Sequence, residues 1–201
     1  MSSVKTLIAA AGLSLLTAAC ANHEHKAEQK ASAPAPKAAE VKKAEVKKVV
    51  NNDDFYLVHH EGRIYVFDDA KTYLSFMQVG ETAYRKVFIG AGPNGETLVY
   101  GLSKKDKKKT SGIASIDMNE GRLEGAKDGF YGEIIAEDNR QYVFSTWEDL
   151  KSFRSVGAAP YRLTEIGAGR EGRTLVYVLN KKNKKKRPEA LRAKFKALHN
   201  S

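Results

Sequence analysis

An internal repeat is the feature that most constrains how this chain can fold. When the chain is aligned with itself at a shift of 77, Arg63–Phe67 falls on Arg140–Phe144, and many positions further along match as well. Ahead of this block, the Phe-Tyr pair at 55–56 matches the pair at 130–131 at a shift of 75. A single unit of about 55 residues buries too little surface to be more than marginally stable. We therefore expect the two units to pack together as one pseudo-symmetric domain.

The hydrophobic pattern of each unit predicts a hairpin, a helix and a second hairpin. Segments in which every second side chain is apolar flank a segment in which apolar residues recur at helical spacing. The first helix is expected to begin near Asp69, with Tyr73 and Phe76 on its inner face. In the second unit, Ser145 and Glu148 have the spacing of a capping box. The predicted fold class is α+β, with two tandem hairpin–helix–hairpin (ββαββ) repeats.

Two glycine-rich segments, at 90–95 and 167–172, have the pattern Gly-x-Gly-x-x-Gly. In dinucleotide-binding folds such glycines precede a helix whose N-terminus holds a pyrophosphate. Here Thr-Leu-Val-Tyr follows both segments and favours a strand, so we interpret the glycines as hairpin turns. The strands that follow should turn three side chains each into the core: Leu98, Tyr100 and Leu102, then Leu175, Tyr177 and Leu179.

The composition changes sharply near residue 51. The segment 21–50 contains no aromatic side chain and is rich in Ala, Lys and Glu, which predicts a flexible tether of up to ~100 Å. The C-terminal segment should form a basic helix with Leu191, Phe195 and Leu198 as its apolar stripe. The expected organisation is a signal peptide at 1–19, a tether at 20–50, repeats at 51–110 and 129–187 joined by a connector at 111–128, and a helix at 188–201.

The segment from Met1 to Cys20 has the organisation of an export signal. Lys5 precedes an apolar stretch at 7–16, and small residues lead into Cys20, the only cysteine of the chain. This pattern resembles the bacterial lipoprotein signal. The resemblance implies cleavage before Cys20, acylation of that cysteine with diacylglycerol and palmitate-type chains, and stable membrane anchoring. Because Ala21 rather than Asp follows, it also implies the periplasmic face of the outer membrane.

Two other interpretations of the N-terminus stay open. An ordinary secretory signal would be cleaved near Ala19 or Ala21 and would leave a free thiol. A short anchor helix is the other, although the apolar stretch at 7–16 falls below the ~20 residues that span a bilayer. On any of the three, a single cysteine excludes a disulfide framework, a thiolate zinc finger and an iron–sulfur cluster.

Lysine-rich runs give the strongest indication of function. The chain has a net charge of +10, and much of its positive charge lies in runs at 104–109 and 181–186. Clustered lysines favour an anionic envelope component such as lipopolysaccharide or peptidoglycan. They contain no interleaved aromatic residues, which disfavours nucleic acid. The alternative is that lysines protect strand edges from aggregation. The candidate anion-binding residues are Lys104, Lys105, Lys107, Lys108, Lys109, Lys181, Lys182, Lys184, Lys185 and Lys186.

Arg85 and Arg162 are further candidate ligand-binding residues. Each follows a tyrosine, and the two positions match at the shift of 77. The alternative is that their aliphatic stems cover an aromatic ring at the edge of the sheet. No residue pattern predicts a catalytic triad, a resident metal or a cofactor, so we expect a non-catalytic binding or scaffolding domain.

A metal- or haem-handling periplasmic protein is the alternative function. Gly62, Tyr65, Phe67 and Phe76 occur in the order found in YHS-type metal modules, and the chain resembles that family over a short segment of each unit. The resemblance implies a metal site, but the family's cysteine ligands are absent. The neighbouring histidines at 59–60 would point to opposite faces of a strand.

The lipoprotein resemblance generates the first testable prediction. Replacing Cys20 by Ser removes the only thiol that can be acylated, so membrane fractionation and fatty-acid labelling should both be lost. Cell fractionation with radiolabelled palmitate measures this. A Cys20→Ser protein that still pellets with outer membranes would contradict the interpretation.

Overall fold

The computed structural model describes residues 49–200, with side chains from Asn52 onward. Within that range the chain forms ten strands and four α-helices. The signal peptide, Cys20 and the segment 20–48 of the expected tether lie outside the described residues. The elements in chain order are β1 Val49–Asn52, β2 Asp54–His60, β3 Arg63–Phe67, α1 Ala70–Val79, β4 Arg85–Phe88, β5 Thr97–Gly101, α2 Ala114–Asn119, β6 Leu123–Gly125, β7 Tyr131–Ile135, β8 Arg140–Phe144, α3 Trp147–Val156, β9 Tyr161–Glu165, β10 Thr174–Leu179 and α4 Glu189–His199.

Eight strands form one mixed sheet in the order β4-β5-β3-β2-β7-β8-β10-β9. The two central strands, β2 and β7, run parallel, with Asp54 opposite Tyr131 and Val58 opposite Ile135. Antiparallel hairpins join β2 to β3, β4 to β5, β7 to β8 and β9 to β10. Parallel pairs link β3 to β5 and β8 to β10. The predicted α+β class is confirmed.

The helices cover both faces of this sheet. Tyr73 of α1 and Phe195 of α4 belong to the core of one face, and Met118 of α2 and Phe153 of α3 belong to the core of the other. A crossover that connects two parallel strands of one sheet is almost always right-handed. The crossover from β3 to β5 and the crossover from β8 to β10 lead to opposite edges of the sheet, so α1 and α3 must lie on opposite faces.

Positions that match at the shift of 77 consequently face opposite sides of the sheet. Tyr65 and Phe67 pack under α1, whereas Tyr142 and Phe144 pack under α3. The predicted inward positions are all buried. Leu98, Tyr100 and Leu102 contribute to the α2/α3 face, and the matching residues Leu175, Tyr177 and Leu179 are buried on β10, the first two on the α1/α4 face.

The ends of α1 follow from its sequence. The Asp69 carboxylate accepts a hydrogen bond from the Thr72 N–H at 2.9 Å, which satisfies a free amide of the first turn. Gly80 ends the helix with a φ of 78°, a left-handed conformation that costs glycine little. The prediction that a helix begins near Asp69 is confirmed.

The start of α3 differs from the predicted capping box by one residue. Thr146, not Ser145, is the N-cap, and its hydroxyl accepts the Asp149 N–H at 3.2 Å while donating to the Asp149 carboxylate at 2.7 Å. Glu148 is therefore not the capping partner. Both alternatives carry a hydroxyl three positions before an acid, so the sequence alone did not distinguish them.

Two local features lie beyond the expected elements. The 111–128 connector contains α2 and β6, and β6 pairs in parallel with β1, which begins at Val49, ahead of the expected boundary at 50. The hairpin registers place Val58 opposite Tyr65 and Ile134 opposite Tyr142. The first strands of the two halves therefore correspond at a shift of 76 rather than 75.

The shared sheet predicts cooperative unfolding. Because β2 is buried on both faces and pairs with β7, the fragment 51–110 alone should be largely unfolded, while the fragment 49–200 should melt in a single transition. Calorimetry and far-UV circular dichroism measure both. A cooperative transition in the 51–110 fragment would contradict this account.

Candidate functional site

The lysine-rich runs form two compact turns. In the first turn, the N–H groups of Asp106 and Lys107 donate to the Ser103 carbonyl. In the second turn, the N–H groups of Asn183 and Lys184 donate in the same way to Asn180. All ten lysines are exposed. These local hydrogen bonds order the backbone of both turns. We call residues 103–109 the first lysine turn and residues 180–186 the second lysine turn.

Both lysine turns leave the same end of the sheet. The central strands β2 and β7 are parallel, and β3 and β8 run antiparallel to them. The strands that carry the turns, β5 and β10, run parallel to β3 and β8, so their C-terminal ends point the same way. Five strand spacings separate β5 from β10, which corresponds to ~24 Å.

One lysine of each turn lies over an aromatic ring. Lys107 Nζ is 4.7 Å from the centre of the Tyr84 ring, and Lys184 Nζ is 4.2 Å from the centre of the Tyr161 ring. These tyrosines stand at the start of β4 and β9, the two outermost strands of the sheet. A lysine over a ring of an edge strand is what the edge-protection interpretation expects of Lys107 and Lys184.

The remaining lysines are available to a ligand to different degrees. In the first turn, Lys109 Nζ pairs with Asp106 at 2.6 Å. Nearby, burial and the charges of Asp69 and Asp106 raise the pKa of Asp68 to about 6. In the second turn Asn183 stands where the first has Asp106, and within residues 49–200 its lysines form no ion pair. The second turn is thus the stronger positive site.

Arg85 and Arg162 line two matching clefts beside α1 and α3. The first cleft has a volume of about 320 Å³ and the second about 410 Å³. Every residue that lines the first cleft has a counterpart in the second at the shift of 77. The clefts open on opposite faces of the sheet. Tyr65, in the floor of the first, lies on the α1/α4 face, and Tyr142, in the floor of the second, lies on the α2/α3 face.

Each cleft contains a second arginine that the sequence reasoning missed as a site residue. Side-chain hydrogen bonds join Arg63 to Tyr65 and Arg140 to Tyr142, and they raise the pKa of both guanidinium groups. The internal repeat could have identified them, because Arg63 and Arg140 match at the shift of 77. Two arginines line each cleft, but Glu81 also lines the first, and Arg140 of the second pairs with Asp138 at 2.9 Å.

The neighbouring histidines do not converge. His59 Nδ1 lies 3.7 Å from a carboxylate oxygen of Glu137, whereas the His60 ring contacts Phe76 on the α1/α4 face. Among the described residues, no group of three or more His, Cys, Asp or Glu side chains is arranged to hold a metal ion. The glycine-rich segments are the turns of the β4–β5 and β9–β10 hairpins, as predicted.

A buried polar cluster centred on Glu133 was not predicted from the sequence. The Glu133 carboxylate is fully buried and accepts hydrogen bonds from Tyr73, Tyr131 and Gln141 at 2.8, 2.5 and 2.6 Å, and His199 Nε2 lies 2.8 Å away. Burial and the Glu133 charge raise the pKa of both tyrosines well above the usual value. The cluster joins α1, α4 and β7 beneath the surface, so we assign it a structural role.

No helix within residues 49–200 is both long and apolar enough to cross a membrane. No protein-family model matches the chain, and comparison with curated proteins and with solved structures gives no significant match.

The Glu133 cluster predicts a large stability effect. Glu133→Ala would leave two tyrosine hydroxyls and His199 without their shared acceptor, so the free energy of unfolding should fall by about 3 kcal/mol. Glu137→Ala, at an exposed position, should change it by less than about 0.5 kcal/mol. Urea denaturation compares the two variants. Equal midpoints would show that the cluster does not anchor α4.

Proposed function

We propose that the chain is an outer-membrane lipoprotein, anchored through Cys20, whose domain binds an anionic polymer of the bacterial envelope without catalysing a reaction. Lipopolysaccharide and peptidoglycan are the polymers we expect. The observation that carries the proposal is that both lysine turns leave one end of one sheet. The membrane anchor is supported by the signal-like sequence that ends at Cys20.

Two turns on a rigid sheet favour a polymer over a small anion. A linear polyanion bound at one turn keeps its remaining charges within reach of the other, about 24 Å away, which raises the effective concentration for the second contact. Each neutralised anionic group also releases condensed counterions, so affinity should fall steeply with salt. A monovalent anion would gain nothing from the second turn.

The second turn should contribute more of the affinity. The first turn carries five lysines and Asp106, while the second carries five lysines and Asn183. Lys109 is already paired with Asp106, but its counterpart Lys186 forms no ion pair within residues 49–200. Binding at the first turn must therefore compete with a local carboxylate.

We also propose that the two halves are copies of one ββαββ unit. Counted outward from the central strands, both halves have the same strand order, and α1 and α3 end at matching glycines, Gly80 and Gly157. The matching turns and clefts give further support. On this proposal the pseudo-twofold axis lies in the sheet between β2 and β7, which makes equivalent clefts open on opposite faces.

Charge removal that spares the edge-covering lysines tests the binding proposal. Four lysines of the second turn (Lys181, Lys182, Lys185 and Lys186) are changed to Gln, and in a separate variant four lysines of the first (Lys104, Lys105, Lys108 and Lys109). Binding to envelope fragments is measured by cosedimentation at several salt concentrations. Both variants should bind more weakly with a shallower salt slope, and the second-turn variant should lose more.

A charge-matched variant with Lys71, Lys86, Lys127 and Lys196 changed to Gln is the control, and it should retain most of the binding. Equal losses in all three proteins would contradict a site at the turns and would reflect net charge alone. Unchanged binding in the turn variants would leave edge protection as their role. The metal- or haem-handling alternative is tested by elemental analysis and absorption spectra of the purified protein, where a stoichiometric metal would favour it.

A further inference from the structure

A groove lies on the α2/α3 face, distinct from the lysine turns and from the arginine clefts. Its volume is about 720 Å³, which lies in the range of small-molecule sites. The floor is apolar and comes from the central strands and their neighbours: Leu57, Ile64, Leu98 and Ile134. The walls are the end of α2 and the inner side of α3, including Trp147 and Phe153.

The groove is open because α2 is short. On the α1/α4 face, α4 has 11 residues, and its last turn brings Leu198 and His199 over the centre of the sheet, against the Glu133 cluster. Helix α2 has six residues and ends at Asn119. Helix α2 therefore stops short of the central strands, where Leu57 and Ile134 form a floor that is 6% and 4% exposed.

One cation at the groove has no acidic partner. Arg154 donates from Nη2 to the Asn119 side-chain carbonyl at 2.7 Å, and its Cζ lies 5.5 Å from the centre of the Phe55 ring. Arg154 is exposed at the rim of the groove, so its guanidinium is accessible to a ligand that enters from solvent. Within residues 49–200 it forms no ion pair, whereas Lys151, on the same helix, pairs with Glu124 at 3.1 Å. Arg154 would thus gain more than Lys151 from an anionic group.

A buried donor at the groove is also unsatisfied. Trp147 is only 2% exposed, and its Nε1–H has no hydrogen-bond partner in the described part of the chain. Buried polar groups in proteins are normally hydrogen-bonded, so this unpaired indole N–H is an exception, and it belongs to a residue that lines the groove.

We propose that this groove binds an amphipathic anion, with an apolar chain on the strand floor and a carboxylate or phosphate group at Arg154. The apolar floor provides affinity by removing the chain from water, and the guanidinium, which forms no ion pair within residues 49–200, fixes the polar end. The site is independent of the polymer-binding proposal, because none of the lysine-turn residues lines it.

The single tryptophan of the chain is Trp147, so its fluorescence reports on the groove directly. The full chain carrying Cys20→Ser is titrated with laurate, dodecanol and acetate. Laurate should give a saturable spectral change, dodecanol a clearly weaker affinity, and acetate none. Absence of a saturable change with laurate would overturn the proposal, and equal affinities for laurate and dodecanol would overturn the role of the cation.

Two variants locate the binding within the groove. Arg154→Gln should weaken laurate binding about tenfold, as expected for loss of a charged hydrogen bond. Ser155→Phe, at an exposed position in the groove wall, should weaken it at least as much by narrowing the groove. The control Lys127→Gln removes an exposed charge that does not line the groove and should bind laurate normally. A loss in the control as large as in Arg154→Gln would overturn the assignment.

Discussion

The parallel pairing of β2 with β7 determines the arrangement of everything else in this domain. Each of these strands begins a half of the sheet, and their common direction makes β3, β5, β8 and β10 all run the other way. Two loops that follow β5 and β10 must then leave the same end. Had the central strands paired antiparallel, the two lysine turns would lie at opposite ends of the sheet and could not contact one short stretch of polymer.

The same pairing explains why helices cover the two faces of the sheet to different extents. The crossovers from β3 to β5 and from β8 to β10 are both right-handed and lead to opposite edges of the sheet. They therefore place α1 and α3 on opposite faces of the sheet. Each half then needs a second helix to cover its remaining face, and α2 and α4 provide it to unequal extents. Where α4 reaches the centre, Glu133 and His199 seal the face with a buried polar cluster. Where α2 stops at Asn119, an apolar groove stays open, and Arg154 at its rim forms no ion pair with any residue of the described range.

Local features of the fold could be predicted from the sequence because short-range chemistry determines them. Asp69 caps α1, the inward positions of β5 alternate as a half-buried strand requires, and Leu191 and Phe195 lie at helical spacing on the buried side of α4. The N-cap of α3 was misplaced by one residue because Ser145 and Thr146 offer the same hydroxyl. Contacts between residues that are distant in the chain could not be predicted from the sequence. Glu133 and His199 stand far apart in the chain, and no periodicity links them. Strand direction at the centre depends on how two halves dock, which the alternation of apolar residues within one strand does not encode.

The distance between the two lysine turns tests the central claim most directly. Spin labels attached through Lys105→Cys and Lys182→Cys, in a chain that also carries Cys20→Ser, stand at matching positions of the first and second turns. Pulsed electron–electron double resonance should give one narrow population between about 20 and 35 Å, because five strand spacings of ~4.8 Å and two label linkers separate the spins. A broad distribution, or one centred beyond that range, would contradict a single sheet that holds both turns at one end.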